Sequence, residues 1–248
     1  MKVTVVGSGD AFGTGGRSNT CLRVDSDGGT LLVDFGASAL VSWNRLGMST
    51  LDIGGIVISH LHGDHFAGLP FLLLESQFVS ERRKPLVIAG PPGLHTRLEM
   101  ACEVLFPGMT GNRWAFPWSV VEIDPGGKDR DIAGFSVRTI EVRHPSGAPA
   151  TGIRVSDGKK LFAYSGDTSW TASLPAIAQD ADLFMCECYG AAHPIPNHID
   201  WPNLRANLSS LKAKRICVTH MGRSALDAIP EIKAAGLMVA EDGKVFDL

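Results

Sequence analysis

Six residues constrain this chain more than any other stretch: His60-Leu61-His62-Gly63-Asp64-His65. The whole sequence holds only 8 histidines in 248 residues, so three of them beside an aspartate within six positions point to a shared task. The block follows the β-branched run 56–59, which reads as a strand buried on both faces, and Gly63 opens a tight turn. As the chain leaves the strand through that turn, His60 and His62 point to one side and Asp64 and His65 to the other. One short loop then serves two neighbouring metal positions. Imidazole and carboxylate without thiolate suit zinc, with manganese or iron as alternatives.

Four side chains do not complete two metal sites, so the pattern demands ligands from other strand ends. His144 closes the run 135–143 just before Pro145, Asp167 follows 161–164 within Ser165-Gly166-Asp167-Thr168, and His220 follows 216–219. Each stands at the C-terminal end of an apolar run, the edge where open α/β sheets gather their sites. His60, His62, His144 and Asp167 are expected around one cation, and Asp64, His65, His220 and Asp167 around the other, with Asp167 shared. A structural zinc site is the competing reading of such a cluster. Those sites are closed and Cys-rich, whereas catalytic ones keep an open position, so the His/Asp set favours catalysis.

The remaining sequence describes the scaffold. With 44% hydrophobic and 20% charged residues evenly spread, the chain is globular. A net charge of −3 argues against holding nucleic acid by bulk positive potential and leaves only a local basic patch for that purpose. No apolar run approaches the roughly 18 residues of a membrane span, and the first twelve residues lack a signal-peptide core, so a cytoplasmic location is the expectation. Cys21, Cys102, Cys186, Cys188 and Cys217 are odd in number and scattered, and are expected to be reduced; Cys186-Glu187-Cys188 lacks the second pair a zinc site needs. Strands are expected at 3–6, 21–24, 31–33, 56–59, 86–89, 135–143, 152–155, 161–164, 183–186 and 216–219. Helices are expected over 68–79, 95–106 and 201–213, the last capped by Asp200. This mixture of hairpins and crossovers makes an α/β chain with two mixed sheets and helices outside, one domain over 1–248. Gly7-Ser8-Gly9 followed by Gly13 misses a dinucleotide fingerprint, and Ser165-Gly166 lacks a nucleophile elbow. Arg17 and Arg223 flank the presumed site edge and are candidates to bind a phosphate oxygen. Trp43, Trp114, Phe116 and Trp118 read as core, with 114–118 a candidate lid.

His60 to His65 as H-L-H-G-D-H, together with His144, Ser165-Gly166-Asp167-Thr168 and Thr219-His220, resembles the metallo-β-lactamase superfamily of binuclear hydrolases. Leu31-Leu32-Val33-Asp34-Phe35-Gly36 is similar to that family's first aspartate motif, which implies that Asp34 supports the metal loop. The resemblance implies a four-layer αββα sandwich with two divalent ions, zinc in the first instance and Mn²⁺ or Fe²⁺ otherwise, at one edge. Gly7 to Phe12 and Gly15 to Thr20 resemble the N-terminal signature of ribonuclease Z and its phosphodiesterase relatives. In that subgroup Glu187 corresponds to the glutamate of a His-Glu-Ala-Thr motif and His198 to the histidine that works with it, although Cys186 and Cys188-Tyr189 depart from the flanking residues. Ribonuclease Z carries a long arm that grips tRNA where this chain has only the short turn after Ser156.

The implied activity is a phosphodiesterase on small-molecule or short nucleotide esters, with tRNA disfavoured. A hydroxide held between the metals is the nucleophile, Asp64 orients it, and Glu187 with His198 handles the proton of the leaving group. Lactonase or glyoxalase II-like thioesterase chemistry on the same metals is the alternative, and a metal-stabilised binding protein without turnover is a third reading. No membrane contact is expected, and a homodimer is an implication of the resemblance alone.

Overall fold

Runs such as Leu31-Leu32-Val33 and Ile56-Val57-Ile58 are apolar at successive positions, so both faces of their strands need cover. The computed structural model, which describes residues 1–248, provides it with two facing seven-stranded sheets. In chain order the strands are β1 (Lys2–Gly7), β2 (Cys21–Ser26), β3 (Gly29–Val33), β4 (Ile53–Val57), β5 (Leu86–Gly90), β6 (Trp118–Glu122) and β7 (Arg130–Ile132). They continue with β8 (Phe135–Val142), β9 (Ala150–Ser156), β10 (Leu161–Tyr164), β11 (Leu183–Glu187), β12 (Ile216–Thr219), β13 (Met238–Val239) and β14 (Val245–Asp247). The first sheet runs β14-β1-β2-β3-β4-β5-β6 and the second β13-β12-β11-β10-β9-β8-β7.

Each sheet is antiparallel in one half and parallel in the other. Strands β3 to β6 pair in parallel, as do β10 to β13. Parallel neighbours cannot be joined by a hairpin, so helices carry the crossovers: α1 (Ala39–Arg45), α2 (Gly63–Phe66), α3 (Leu69–Phe78) and α4 (Leu94–Leu105) in the first half, α5 (Ser173–Ala178), α6 (Trp201–Asn207), α7 (Arg223–Asp227) and α8 (Ile229–Ala234) in the second.

Strand periodicity sorts the side chains into three apolar layers. Leu31, Val33, Phe162 and Tyr164 point between the sheets, joined there by Val5, Val155 and Met185. Leu32, Ile56 and Ile88 point outward against Trp43, Leu72 and Leu98 of the helices. Ala163, Phe184 and Val218 do the same on the other side, against Ile177, Trp201 and Ile232. The result is the four-layer αββα sandwich expected from the sequence.

The structure revises two local expectations. The helix expected over 201–213 starts at its Asp200 cap, which accepts a 2.9 Å bond from Asn203 N, but ends at Asn207. There the Asn207 side chain donates to Asn203 O and Ser210 Oγ donates to Asn207 O, so side chains take carbonyls that a longer helix would need. The 114–118 segment is not a lid: Phe116 is buried, and Trp114 and Trp118 pack on the α4 side of the first sheet. Helix α1 and strands β6, β7, β13 and β14 were too short or too mixed in polarity to show a period. All five cysteines are buried and free. No helix is long and apolar enough to cross a membrane.

Two loops at the C-terminal ends of β3 and β4 press together. A Cβ on Gly36 would lie 2.1 Å from Asp64 O and 2.5 Å from Asn19 Cβ. Gly36→Ala must therefore displace the loop that carries the histidine block, and overpacking of this kind costs about 1–3 kcal/mol. Urea unfolding should show a midpoint lowered accordingly; an unchanged midpoint would mean that this contact is not rigid.

Candidate metal centre

The sheets deliver their chemistry to a single edge. Strand β4 ends at Val57 and leads to His60. The turn expected at Gly63 is the one-turn helix α2, with His62 at its N-cap and Asp64 and His65 within it. His144 lies just beyond β8, Asp167 beyond β10 and His220 beyond β12. His60 and His65 are wholly buried, and Asp167 and His220 are 2% and 1% exposed.

Four overlapping ligand-like groups result, each with donor atoms within 4.8 Å of one another: His60, His62 and His144; Asp64, His65, Asp167 and His220; His144, Asp167 and His198; and Glu187, His198 and His220. His144 Nε2 stands 3.0 Å from His62 Nδ1. The carboxylate oxygen Asp64 Oδ2 is 3.2 Å from Nε2 of both His65 and His220. Asp167 Oδ2 is 3.3 Å from the same two nitrogens and 3.8 Å from His60 Nε2, so this side chain lies between the first two groups. The structure thus brings together all seven residues expected from the sequence.

A supporting layer fixes their orientation. Asp34 Oδ2 is 2.7 Å from His65 Nδ1, and the same carboxylate accepts bonds from Ser59 N and Ser59 Oγ, each at 2.7 Å. Holding Nδ1 leaves His65 Nε2 to face the cluster, the arrangement by which a carboxylate sets the tautomer of a metal-binding histidine. Asp34 has φ 60° and His220 φ 55°, so both residues stand in the sparsely populated left-handed region at the site edge. His144 Nδ1 is 2.9 Å from Asn197 O.

Electrostatics show what the cluster lacks. Burial works to raise the Asp64 carboxyl, but His65 and His220 outweigh it and hold the group well below the usual carboxylate range. Asp167 is likewise driven down, against its burial, by His220 and His65. Burial opposes charge on His65, yet Asp167, Asp64 and Asp34 push its imidazole well up; His220 is raised mainly by Asp167, also against burial. His60 is pushed down by burial and by the neighbouring His65 charge. The carboxylates thus favour positive charge at this cluster. Meanwhile His60 Nε2, His65 Nε2 and Asp167 Oδ1 are buried with no hydrogen-bond partner. Unpartnered buried nitrogen and oxygen donors converging on one space fit divalent cations, and the His/Asp donor chemistry fits zinc, manganese or iron.

The cleft over this cluster measures about 120 Å³ and is also lined by Ala11, Phe12, Tyr189 and His198. His198 Nδ1 is 3.0 Å from Oε2 of the buried Glu187. The other Glu187 oxygen accepts from Thr168 N, beside Asp167, and the Glu187 amide donates to Ser165 Oγ. Burial and the Asp167 charge push Glu187 well up, and burial lowers His198. The Tyr189 ring stacks on His198 at 4.7 Å. Sequence reasoning gave Phe12 and Tyr189 no role of their own, since neither carries a ligand signature, and met them only at the edges of the Gly7 to Phe12 and Cys188-Tyr189 segments. Arg17 does not reach the cleft: its Nη1 donates to Ala240 O at 2.5 Å and to Ser8 Oγ at 3.3 Å. Arg223 is exposed at the start of α7 and does not line the cleft either.

Two outcomes follow from this geometry. Asp34→Ala should weaken metal affinity about 10- to 100-fold, the usual effect of losing such a support, as measured by competition with a chelating dye; unchanged affinity would remove Asp34 from the metal loop. The raised His65 and His220 stabilise the metal-free fold below the ordinary histidine range, and that contribution fades as pH rises through their elevated values. Metal binding needs those imidazoles neutral. The gain in Tm on adding zinc should therefore grow between about pH 6 and about pH 8, and a gain that shrinks with pH would contradict the assignment.

Comparison with known proteins agrees with this edge-centred architecture. The chain is 36% identical over 182 residues to ribonuclease Z of Salinibacter ruber, a match covering 71% of this chain and 54% of that protein. It spans about half the length of the curated relatives it matches. The short form of human tRNase Z shares the fold with a TM-score of 0.79 at 23% identity, covering 100% of this chain and 99% of the other. The metallo-β-lactamase fold protein YhfI of Bacillus subtilis does so with a TM-score of 0.78 at 20% identity, covering 99% of both. A family model described as Anti-Pycsar protein Apyc1 matches residues 1–246, and the chain belongs to that family, on a metallo-β-lactamase fold of the ribonuclease Z-like kind.

Proposed function

We propose that this protein is a metal-dependent phosphodiesterase, using two zinc ions or, in their place, manganese or iron, on small-molecule or short nucleotide esters. The observation that carries the reading is the buried Glu187 paired at 3.0 Å with His198 on the rim of the seven-residue cluster. A proton-handling pair set beside a group of cation ligands is what expulsion of a poor alkoxide leaving group requires. His60, His62 and His144 would hold one cation and Asp64, His65 and His220 the other, with Asp167 common to both. When bound, the cations supply Lewis acidity that activates water and neutralises the charge gathering on a phosphoryl group.

The protein's own groups do the rest. Glu187, whose charge burial and Asp167 oppose, shares a proton with His198 across their 3.0 Å contact. His198 then donates from Nε2 to the departing oxygen while Glu187 steadies its Nδ1. Tyr189, stacked on the ring, and the Thr168 amide, bonded to Glu187, prevent the pair from swinging away. The name ribonuclease Z among the relatives supports phosphodiester chemistry. A small substrate is favoured over tRNA because β9 and β10 are joined by a short turn at 157–160 and the net charge is −3.

Zinc- or manganese-loaded protein should hydrolyse bis-p-nitrophenyl phosphate; turnover confined to a thioester or lactone would contradict the reading. Asp167→Ala should lower metal content at both positions, read by elemental analysis, and two full equivalents in the variant would refute the shared ligand. His198→Ala should keep its metal yet lose about 10²- to 10⁴-fold in rate on alkyl diesters, where the leaving group needs a proton. Its loss on p-nitrophenyl esters should be much smaller, and equal losses on both would deny His198 the role of acid.

A further inference from the structure

Phe12 is the most exposed of the large hydrophobic side chains, at 82%, and it stands at the mouth of the catalytic cleft. Its segment is firmly held. The Asp10 carboxylate accepts bonds from Phe12 N at 3.2 Å, Thr14 N at 2.9 Å and Thr14 Oγ1 at 2.6 Å. Asn19 Nδ2 fixes the Asp10 carbonyl at 2.8 Å. Beyond Phe12 the turn seats Gly15 against Leu226 of α7, so closely that a Cβ there would lie 2.9 Å from Leu226 Cδ1. The other aromatic of the cleft, Tyr189, is already engaged: one neighbour is the stacked His198 ring, and another is Gly222, where a Cβ would come within 3.4 Å of the Tyr189 ring. Phe12 alone therefore offers a free aromatic surface, on an anchored loop, next to the place where the phosphoryl group would sit.

Resting on the phosphodiesterase reading, we infer that Phe12 is a specificity-determining residue that stacks on a planar ring carried by the substrate, the base of a nucleotide ester. The cleft between the candidate ligands and His198 is open and has Phe12 in its wall, so a base joined to the reacting group can lie against that ring. A phenyl face discriminates planar rings from aliphatic groups with little preference among bases, since every base offers a π surface. Ordering the loop in advance means that this contact costs little further entropy on binding.

Titration calorimetry on zinc-loaded protein tests the inference with a nucleoside 5′-monophosphate and with methyl phosphate, which shares the phosphate but has no ring. Wild type should bind the nucleotide more tightly. Phe12→Ala should weaken the nucleotide about 10- to 100-fold, a usual stacking loss, while methyl phosphate affinity and metal content stay within about twofold. Phe12→Trp should restore nucleotide affinity. Equal affinity of wild type for both ligands, or equal weakening of both by Phe12→Ala, would overturn the subsite and leave the phosphodiesterase reading standing. Binding of neither ligand would remove both. A Phe12→Ala protein that changes its elution volume on size exclusion but keeps its nucleotide preference would assign the residue to contact with a second copy of the chain, and would likewise overturn the subsite.

Discussion

Asp34, Asp64 and Asp167 set three carboxylates in or at the edge of the interior beside the imidazoles of His60, His65 and His220. Removing that many ionisable groups from water is costly unless positive charge is shared among them. The carboxylates raise the imidazoles of His65 and His220, and Nε2 of His60 and Oδ1 of Asp167 stay buried and unpartnered. Divalent cations bound here would satisfy the same carboxylates and the leftover donors at once. Most other features of this edge, from the Asp34 bond to the close seating of Gly36, serve to keep those donors convergent.

The sandwich gives convergence its mechanical basis. The candidate ligands come from the ends of β4, β8, β10 and β12, which belong to two sheets, so their relative positions depend on how the sheets face each other across the Leu31, Val33, Phe162 and Tyr164 layer. Few soft segments intervene. His60 and Asp167 each lie within three residues of a strand end, and the loop between His60 and α3 is a single helical turn bonded back to Phe35 through His65 O at 2.7 Å. Chemistry at the edge is thus tied to packing in the middle, and the proton-handling pair is tied to both, because Glu187 ends β11 while its carboxylate grips the amide next to Asp167.

Much of this was legible in the sequence for a physical reason. Candidate ligands that terminate apolar runs are marked by the abrupt change from strand to His or Asp, so His144, Asp167 and His220 stood out once the 60–65 block called for partners. Glu187 and His198 were legible only through a family resemblance, since a glutamate between two cysteines and a histidine in a Pro-rich loop carry no signal of their own. The place of Phe12 and Tyr189 at the cleft was illegible because it depends on loops brought together over more than a hundred residues. Arg17 shows the opposite failure: its position near the edge invited a phosphate contact, but the C-terminal segment, distant in sequence, takes its guanidinium through Ala240 O. Short elements such as β13 and β14 escaped notice because two or three residues cannot display a period.

The central claim is that seven side chains from four strand ends enclose two cations. Crystals of protein purified with zinc, measured on both sides of the zinc absorption edge, test it most directly. Two anomalous peaks are expected, about 3.5–4 Å apart as in two-metal sites generally, one among His60, His62 and His144 and the other among Asp64, His65 and His220, with Asp167 between them. A single peak held elsewhere, or no peak in this cleft with zinc in excess, would contradict the account.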